Sequence, residues 1–126
     1  MRGREPIVPQ RRRRIPPQFS WIDHRLVRDG HLQGHSALAL ALYLFLVTVA
    51  DARGLSFYSE RSIGRYLAIT PERLDNARKE LLRADLIAYQ NPLYQLLSLD
   101  GLPLSSERGG GICSIKEIFK QLGGAA

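Results

Sequence analysis

The chain has 126 residues, 44% of them hydrophobic and 24% charged, with a formal net charge of +6 and one cysteine. This composition predicts one intracellular globular domain, and a single cysteine excludes an internal disulfide or a cysteine zinc cluster. The longest apolar run, residues 37–50, is shorter than the 18 or so residues that span a bilayer. The charged, proline-rich N-terminus does not resemble a secretory signal, so we expect a cytoplasmic protein without membrane contact.

The positive charge is concentrated at the N-terminus. Residues 1–28 hold eight arginines against two acidic residues, which accounts for the whole net charge, and four of the arginines are consecutive: Arg11, Arg12, Arg13 and Arg14. Four prolines disfavour a regular helix over residues 1–18 and favour extended backbone. We predict a flexible basic arm over 1–18 that binds an anionic partner, most often nucleic acid; the alternative is a solubilising leader.

The next segment, residues 19–32, fits either a short strand or the first turn of a helix. Its apolar side chains are expected to pack onto the core: Trp21, Ile22, Leu26 and Val27.

A helix from Ser36 to Ala50 follows, capped by Ser36 and ended by Gly54. It is apolar on nearly every side, which places it either at the centre of the core or partly at an interface. The aromatic stretch 55–59 predicts a strand. Ser59 then caps a second helix, which ends near Ala68 and carries Ile63, Tyr66 and Leu67 on one face.

Pro71 interrupts an otherwise helical stretch. Thr70 is a favoured N-cap residue, and proline at the first helical position sacrifices no hydrogen bond. Leu74, Ala77 and Leu81 recur with the spacing of one buried helix face. We therefore predict a new helix over 71–84, separated from the preceding one by a three-residue turn.

Asp85 tolerates the left-handed backbone that ends such a helix. Two strands around the Asn91–Pro92 turn follow, then a glycine-rich linker over 101–113. Residues 114–126 predict a short amphipathic helix and tail, with Ser114 and Glu117 as a capping box. The helix is too short to be stable alone, so its apolar face must dock in cis or on a partner. That face is Ile115, Ile118, Phe119 and Leu122.

This order of elements resembles the winged helix-turn-helix DNA-binding superfamily, and is most similar to the winged-helix domains of bacterial and plasmid replication initiators. The matching positions cover the turn between the two helices and the start of the strands: Ile63, Gly64, Leu67, Ala68, Ile69, Thr70, Leu74, Leu81 and Asp85-Leu86-Ile87. The resemblance covers residues 36–99 and implies an α+β, mostly α fold with a two- or three-stranded antiparallel sheet. We predict a winged-helix domain over residues 19–100.

The resemblance implies a DNA-binding transcription regulator or replication accessory that places helix 71–84 in the major groove. Arg73 and Asn76 are the candidates for base edges, Lys79 and Arg83 for phosphates. The arginine arm would bind the DNA backbone or minor groove. The expected partners are double-stranded DNA and, through the first helix, a second copy of the chain. A protein partner for the C-terminal helix is the alternative to docking in cis.

The alternative function is a protein–protein interaction module with a nonspecific basic nucleic-acid anchor. Acidic Glu72, Asp75 and Glu80 lie on the same helix as the basic candidates, and the predicted wing, residues 88–95, lacks lysine and arginine. Nothing in the sequence predicts catalysis, a metal or a cofactor. The three histidines at 24, 31 and 35 are interrupted by glycines and are expected at the surface or in caps.

Overall fold

The computed structural model describes residues 4–102, which form a mixed α/β fold that is mostly helical. A 3-10 turn (Pro9–Arg11) precedes four helices and a three-stranded antiparallel sheet. The bounds in chain order are α1 (Arg25–Arg28), α2 (Ala37–Val49), β1 (Leu55–Phe57), α3 (Glu60–Leu67), α4 (Pro71–Arg83), β2 (Ile87–Gln90) and β3 (Leu93–Leu96). Most of the predicted linker over 101–113 and all of the predicted helix 114–126 lie outside the described residues.

The sheet has the order β1-β3-β2. β2 and β3 form the predicted hairpin, with Tyr89 opposite Tyr94, and the turn contains Asn91 and Pro92. β1 pairs with the other edge of β3, with Ser56 opposite Tyr94. The sheet therefore has three strands rather than two, and Tyr94 on the central strand is buried.

The apolar helix α2 is central to the core. The hydroxyl of Ser36 accepts a hydrogen bond from the backbone nitrogen of Ala39, as its predicted role as N-cap requires. One side of α2 is buried among α4 and β3, while Leu44 is 56% exposed. The buried side chains are Ala39, Leu42, Tyr43, Leu46 and Val47. The predicted stop at Gly54 is wrong: α2 ends at Val49, and Gly54, with φ +80°, belongs to the turn before β1.

Three residues connect α3 to α4, as predicted. Ala68 takes a left-handed conformation with φ 55°, and the Ile69 nitrogen donates to the Gly64 carbonyl at 3.1 Å. A Cβ at position 64 would lie 3.1 Å from the Ile69 carbonyl oxygen, so a side chain there would require the turn to shift by a few tenths of an ångström. The Thr70 hydroxyl accepts from the Arg73 nitrogen at 3.3 Å, which caps α4. The prediction that Pro71 begins a second helix, rather than breaking a single one, is therefore confirmed.

The segment before α2 differs from the prediction. Of its four apolar residues expected in the core, only Leu26 is buried, whereas Trp21, Ile22 and Val27 are 77%, 50% and 73% exposed. Residues 19–22 form neither strand nor helix, and α1 is a single turn that can turn only one side chain inward.

Two further differences are local. Tyr66 is 71% exposed instead of sharing the buried face of α3, and its ring lies 5.5 Å from that of Phe45. The arm is not extended throughout, because Pro9–Arg11 forms a 3-10 turn with Pro9 at its first position. Proline suits that position since its fixed φ is already helical.

Candidate nucleic-acid interface

The outer face of α4 carries the four predicted contact residues of the body. Arg73, Asn76, Lys79 and Arg83 are all exposed. The opposite side packs into the core, with Leu74, Ala77 and Leu81 at most 2% exposed. Because Leu74, Ala77 and Leu81 pack into the core, these four polar side chains lie on the solvent-exposed side of α4.

Asp75 is held by two cations of the same helix. Its carboxylate accepts from Lys79 Nζ at 2.9 Å and from Arg78 Nη2 at 2.9 Å. The hydrogen bond from Lys79 and the charge of Arg78 lower the pKa of Asp75. Both groups in the Asp75–Lys79 pair are partly solvated, so the pair is weak and Lys79 can exchange it for a phosphate.

Glu80 does not contribute to the outer face, because its carboxylate is engaged at the start of α2. It accepts from the backbone nitrogen of Ser36 at 2.7 Å and from the Ser36 hydroxyl at 2.8 Å. His35 Nδ1 lies 3.1 Å from the same carboxylate. Burial opposes the charge of Glu80, but these hydrogen bonds outweigh it and lower its pKa. Of the three acidic residues on α4, only Glu72 adds an unengaged carboxylate to the outer face.

Arg78 is the residue that sequence reasoning missed. It is 6% exposed, donates to the Tyr94 hydroxyl at 3.1 Å and to Glu60 at 2.8 Å, and its guanidinium lies 4.5 Å from the Tyr89 ring centroid. Burial disfavours its charge, but the hydrogen bonds to Tyr94 and Glu60 raise its pKa. Arg78 therefore joins α4 to the sheet and to α3 and is not available to a ligand.

A sequence signal for Arg78 exists. It lies four residues after Leu74 and three before Leu81, which is the buried face of α4. A cation at such a position needs acceptors nearby, and the tyrosines of the hairpin supply an acceptor hydroxyl and an aromatic face.

The arm presents its arginines separately from α4. Arg11 ends the 3-10 turn, Arg12, Arg13 and Arg14 follow it, and all four are exposed. Among residues 4–102, no hydrogen bond or ion pair joins these four side chains to α4. The predicted nucleic-acid-binding residues therefore form two exposed sets, one on α4 and one on the arm.

The surfaces next to α4, those of α3 and of the β2–β3 hairpin, differ in charge. On α3, Arg61 and Arg65 are exposed and one helical turn apart, which the sequence analysis did not use. The hairpin from β2 to β3 has no basic residue, as its sequence shows. Apart from Arg53 in the turn before β1, the exposed basic residues of the body therefore lie on helices.

The histidines do not form a site. His31 is 1% exposed, contrary to the expectation of a surface or cap position, and His35 pairs with Glu80. In the described part of the chain, no three histidine, cysteine or carboxylate side chains lie together as metal ligands would. No helix there is long and apolar enough to cross a membrane. The predicted partner-binding residues Ile115, Ile118, Phe119 and Leu122 lie outside it.

Comparison with protein-family models, with curated proteins and with solved structures finds no match for this chain.

Proposed function

We propose that this chain is a winged-helix DNA-binding protein that acts as a transcription regulator or a replication accessory. The layout of α2, β1, α3, a three-residue turn, α4 and a hairpin paired to β1 supports that superfamily. One observation carries the function: α4 exposes Arg73, Asn76, Lys79 and Arg83 on one side while Asp75 and Glu80 are engaged within the protein.

An α-helix fits the major groove of B-form DNA, and its outward side chains reach the base edges. Arg73 in the first turn of α4 is placed to donate two hydrogen bonds to guanine O6 and N7. Asn76, one turn later, suits the N6 and N7 of adenine. Lys79 and Arg83 follow at spacings of three and seven residues from Asn76 and contact phosphates, which orient the helix without specifying sequence.

The arm supplies the second contact. Four consecutive exposed arginines supply positive charge for the phosphates of a DNA backbone or for the negative potential of a minor groove. Their contribution is independent of sequence, so the arm raises affinity and α4 selects the site.

The test compares Arg73→Ala/Asn76→Ala with Arg53→Ala, a control that removes an arginine charge elsewhere. Arg53 is exposed in the turn before β1, outside α4 and the hairpin. On the duplex that the full chain enriches from a random pool, followed by fluorescence anisotropy, we expect the α4 pair to weaken binding by about tenfold or more and the control to leave it nearly unchanged. Equal affinity for both variants on that duplex would show that Arg73 and Asn76 do not contact DNA.

An interaction module with a nonspecific basic anchor is the second candidate. It is favoured by the neutral hairpin and by exposed Leu44, Phe57 and Tyr66 on α2, β1 and α3. Under this alternative, DNA binding survives the α4 pair and disappears when residues 1–17 are deleted.

A further inference from the structure

A groove of about 700 Å³ lies between the segment that precedes α1 and the end of β3. Phe19, Trp21 and Ile22 line it with 66%, 77% and 50% of their surfaces exposed, and buried Leu26 and Val47 contribute to its inner wall. A groove lined by three large, exposed apolar side chains is a candidate contact site.

The described chain ends at this groove. Leu99 and Asp100 line it, and Leu102 is the last described residue. The chain that follows therefore starts at the rim of the groove.

The following segment is long enough to return to the groove. The eleven residues 103–113 span at most about 40 Å when extended, whereas a domain of this size is roughly 25–30 Å across. A tether this short holds the next segment at an effective concentration in the millimolar range, far above that of a free partner.

Residues 114–122 have an amphipathic sequence pattern that is compatible with binding to an apolar groove. Their apolar residues repeat at i, i+3, i+4 and i+7, and a helix of this length is not stable in water without a surface for that face. The apolar positions are Ile115, Ile118, Phe119 and Leu122.

We propose that residues 114–122 fold back onto the same chain as an amphipathic helix and bury their apolar face in the groove lined by Phe19, Trp21 and Ile22. The docked helix shields Trp21 and Ile22 from solvent, and these are side chains that the sequence pattern predicts in the core. This inference does not depend on DNA binding.

The three lysines of the sequence provide the test. A lysine-specific protease can cut after Lys116 and Lys120 within the segment and after Lys79 within α4. Docking protects Lys116 and Lys120, and cutting after Lys79 reports global unfolding.

In the full chain, Phe119→Glu should accelerate cutting after Lys116 at least tenfold, while Gln121→Glu, on the polar side of the same helix, should leave it slow. Peptides of residues 103–126 with the same substitutions correct for the preference of the protease.

A second pair of variants tests the groove itself. Ile22→Glu should accelerate cutting after Lys116, whereas Val27→Glu, an exposed residue of α1 that does not line the groove, should not. Cutting after Lys79 should stay slow in all four variants. Trp21 is the only tryptophan, so its emission should shift to the red and its quenching by acrylamide should rise in Phe119→Glu.

Two results would overturn the proposal. One is wild-type cutting after Lys116 as fast as in the free peptide. The other is protection that disappears on dilution, which would assign the groove to the C-terminal segment of a second copy.

Discussion

Glu80 on α4 accepts hydrogen bonds from both the backbone nitrogen and the hydroxyl of Ser36, at 2.7 and 2.8 Å. Ser36 in turn caps α2, so one carboxylate stabilises the start of the central helix and ties it to α4. The same contact holds the charged carboxylate of Glu80 at the start of α2 and away from the outer face of α4, where it would repel DNA.

This contact predicts a pH-dependent stability. Because the hydrogen bonds lower the pKa of Glu80 below its ordinary 4.5, its contribution is present above that value and is lost as the pH falls through the lower, folded-state pKa. At pH 7, Glu80→Gln should reduce the free energy of unfolding by about 1–2 kcal/mol, and the difference should shrink towards pH 3. Urea denaturation at several pH values measures it. Parallel curves of unfolding free energy against pH for wild type and Glu80→Gln would contradict the role of the charge.

Substitutions of Arg78 and Arg83 should have different effects on the free energy of unfolding and on DNA affinity. Arg78→Met removes the donor to Tyr94 and Glu60 and should lower the free energy of unfolding by about 2–3 kcal/mol. Arg83→Met should change it by less than about 0.5 kcal/mol yet weaken DNA binding. Chemical denaturation and anisotropy on the same preparations provide both values. A loss of stability in Arg83→Met as large as that in Arg78→Met would contradict these assignments.

The cap of α4 should be measurable by itself. Thr70→Ala removes the acceptor for the Arg73 nitrogen and should cost about 1 kcal/mol of stability. Thr48→Ala is the control, because its hydroxyl only donates back to the Leu44 carbonyl within α2. Thermal unfolding should show a lower Tm for Thr70→Ala alone. Equal Tm values in the two variants would mean that Pro71 and packing suffice to start α4.

Helices α2, α3 and α4 and the hairpin were predictable because local chemistry determines them. Ser36, Ser59 and Thr70 each cap a helix as predicted, and Asp85 adopts φ 57° at the end of α4. The pairing of β1 with β3 was less certain, since some forty residues separate the strands and short strands carry little pattern.

Side-chain partnerships were the part of the candidate site that the sequence could not supply. Glu80 and Asp75 counted as repulsive charges in a one-dimensional reading, but their partners Ser36 and Arg78 are determined by the packing of α4 on α2 and on the sheet. Trp21 and Ile22 were predicted in the core because they are hydrophobic. Hydrophobicity leads to burial only where a helix or strand directs the side chain inward, and residues 19–22 form neither.

The arm should govern the salt dependence of DNA binding. Each phosphate neutralised contributes about −0.9 to the slope of log K against log salt, so deleting residues 1–17 should flatten the slope by roughly 3 to 5 units. Replacing Arg11, Arg12, Arg13 and Arg14 by lysine keeps the charge and should preserve most of the slope. Titrations between 50 and 200 mM salt suffice, and an unchanged slope after the deletion would eliminate the arm as a DNA contact.

The central claim is that the exposed face of α4 recognises a DNA sequence, and selection of bound duplexes from a random pool tests it most directly. The full chain should enrich a short motif in which guanine and adenine positions depend on Arg73 and Asn76. The Arg73→Ala/Asn76→Ala variant should lose the preference at those positions while the arm retains nonspecific binding. A pool that remains random after selection with the wild-type chain would contradict the claim.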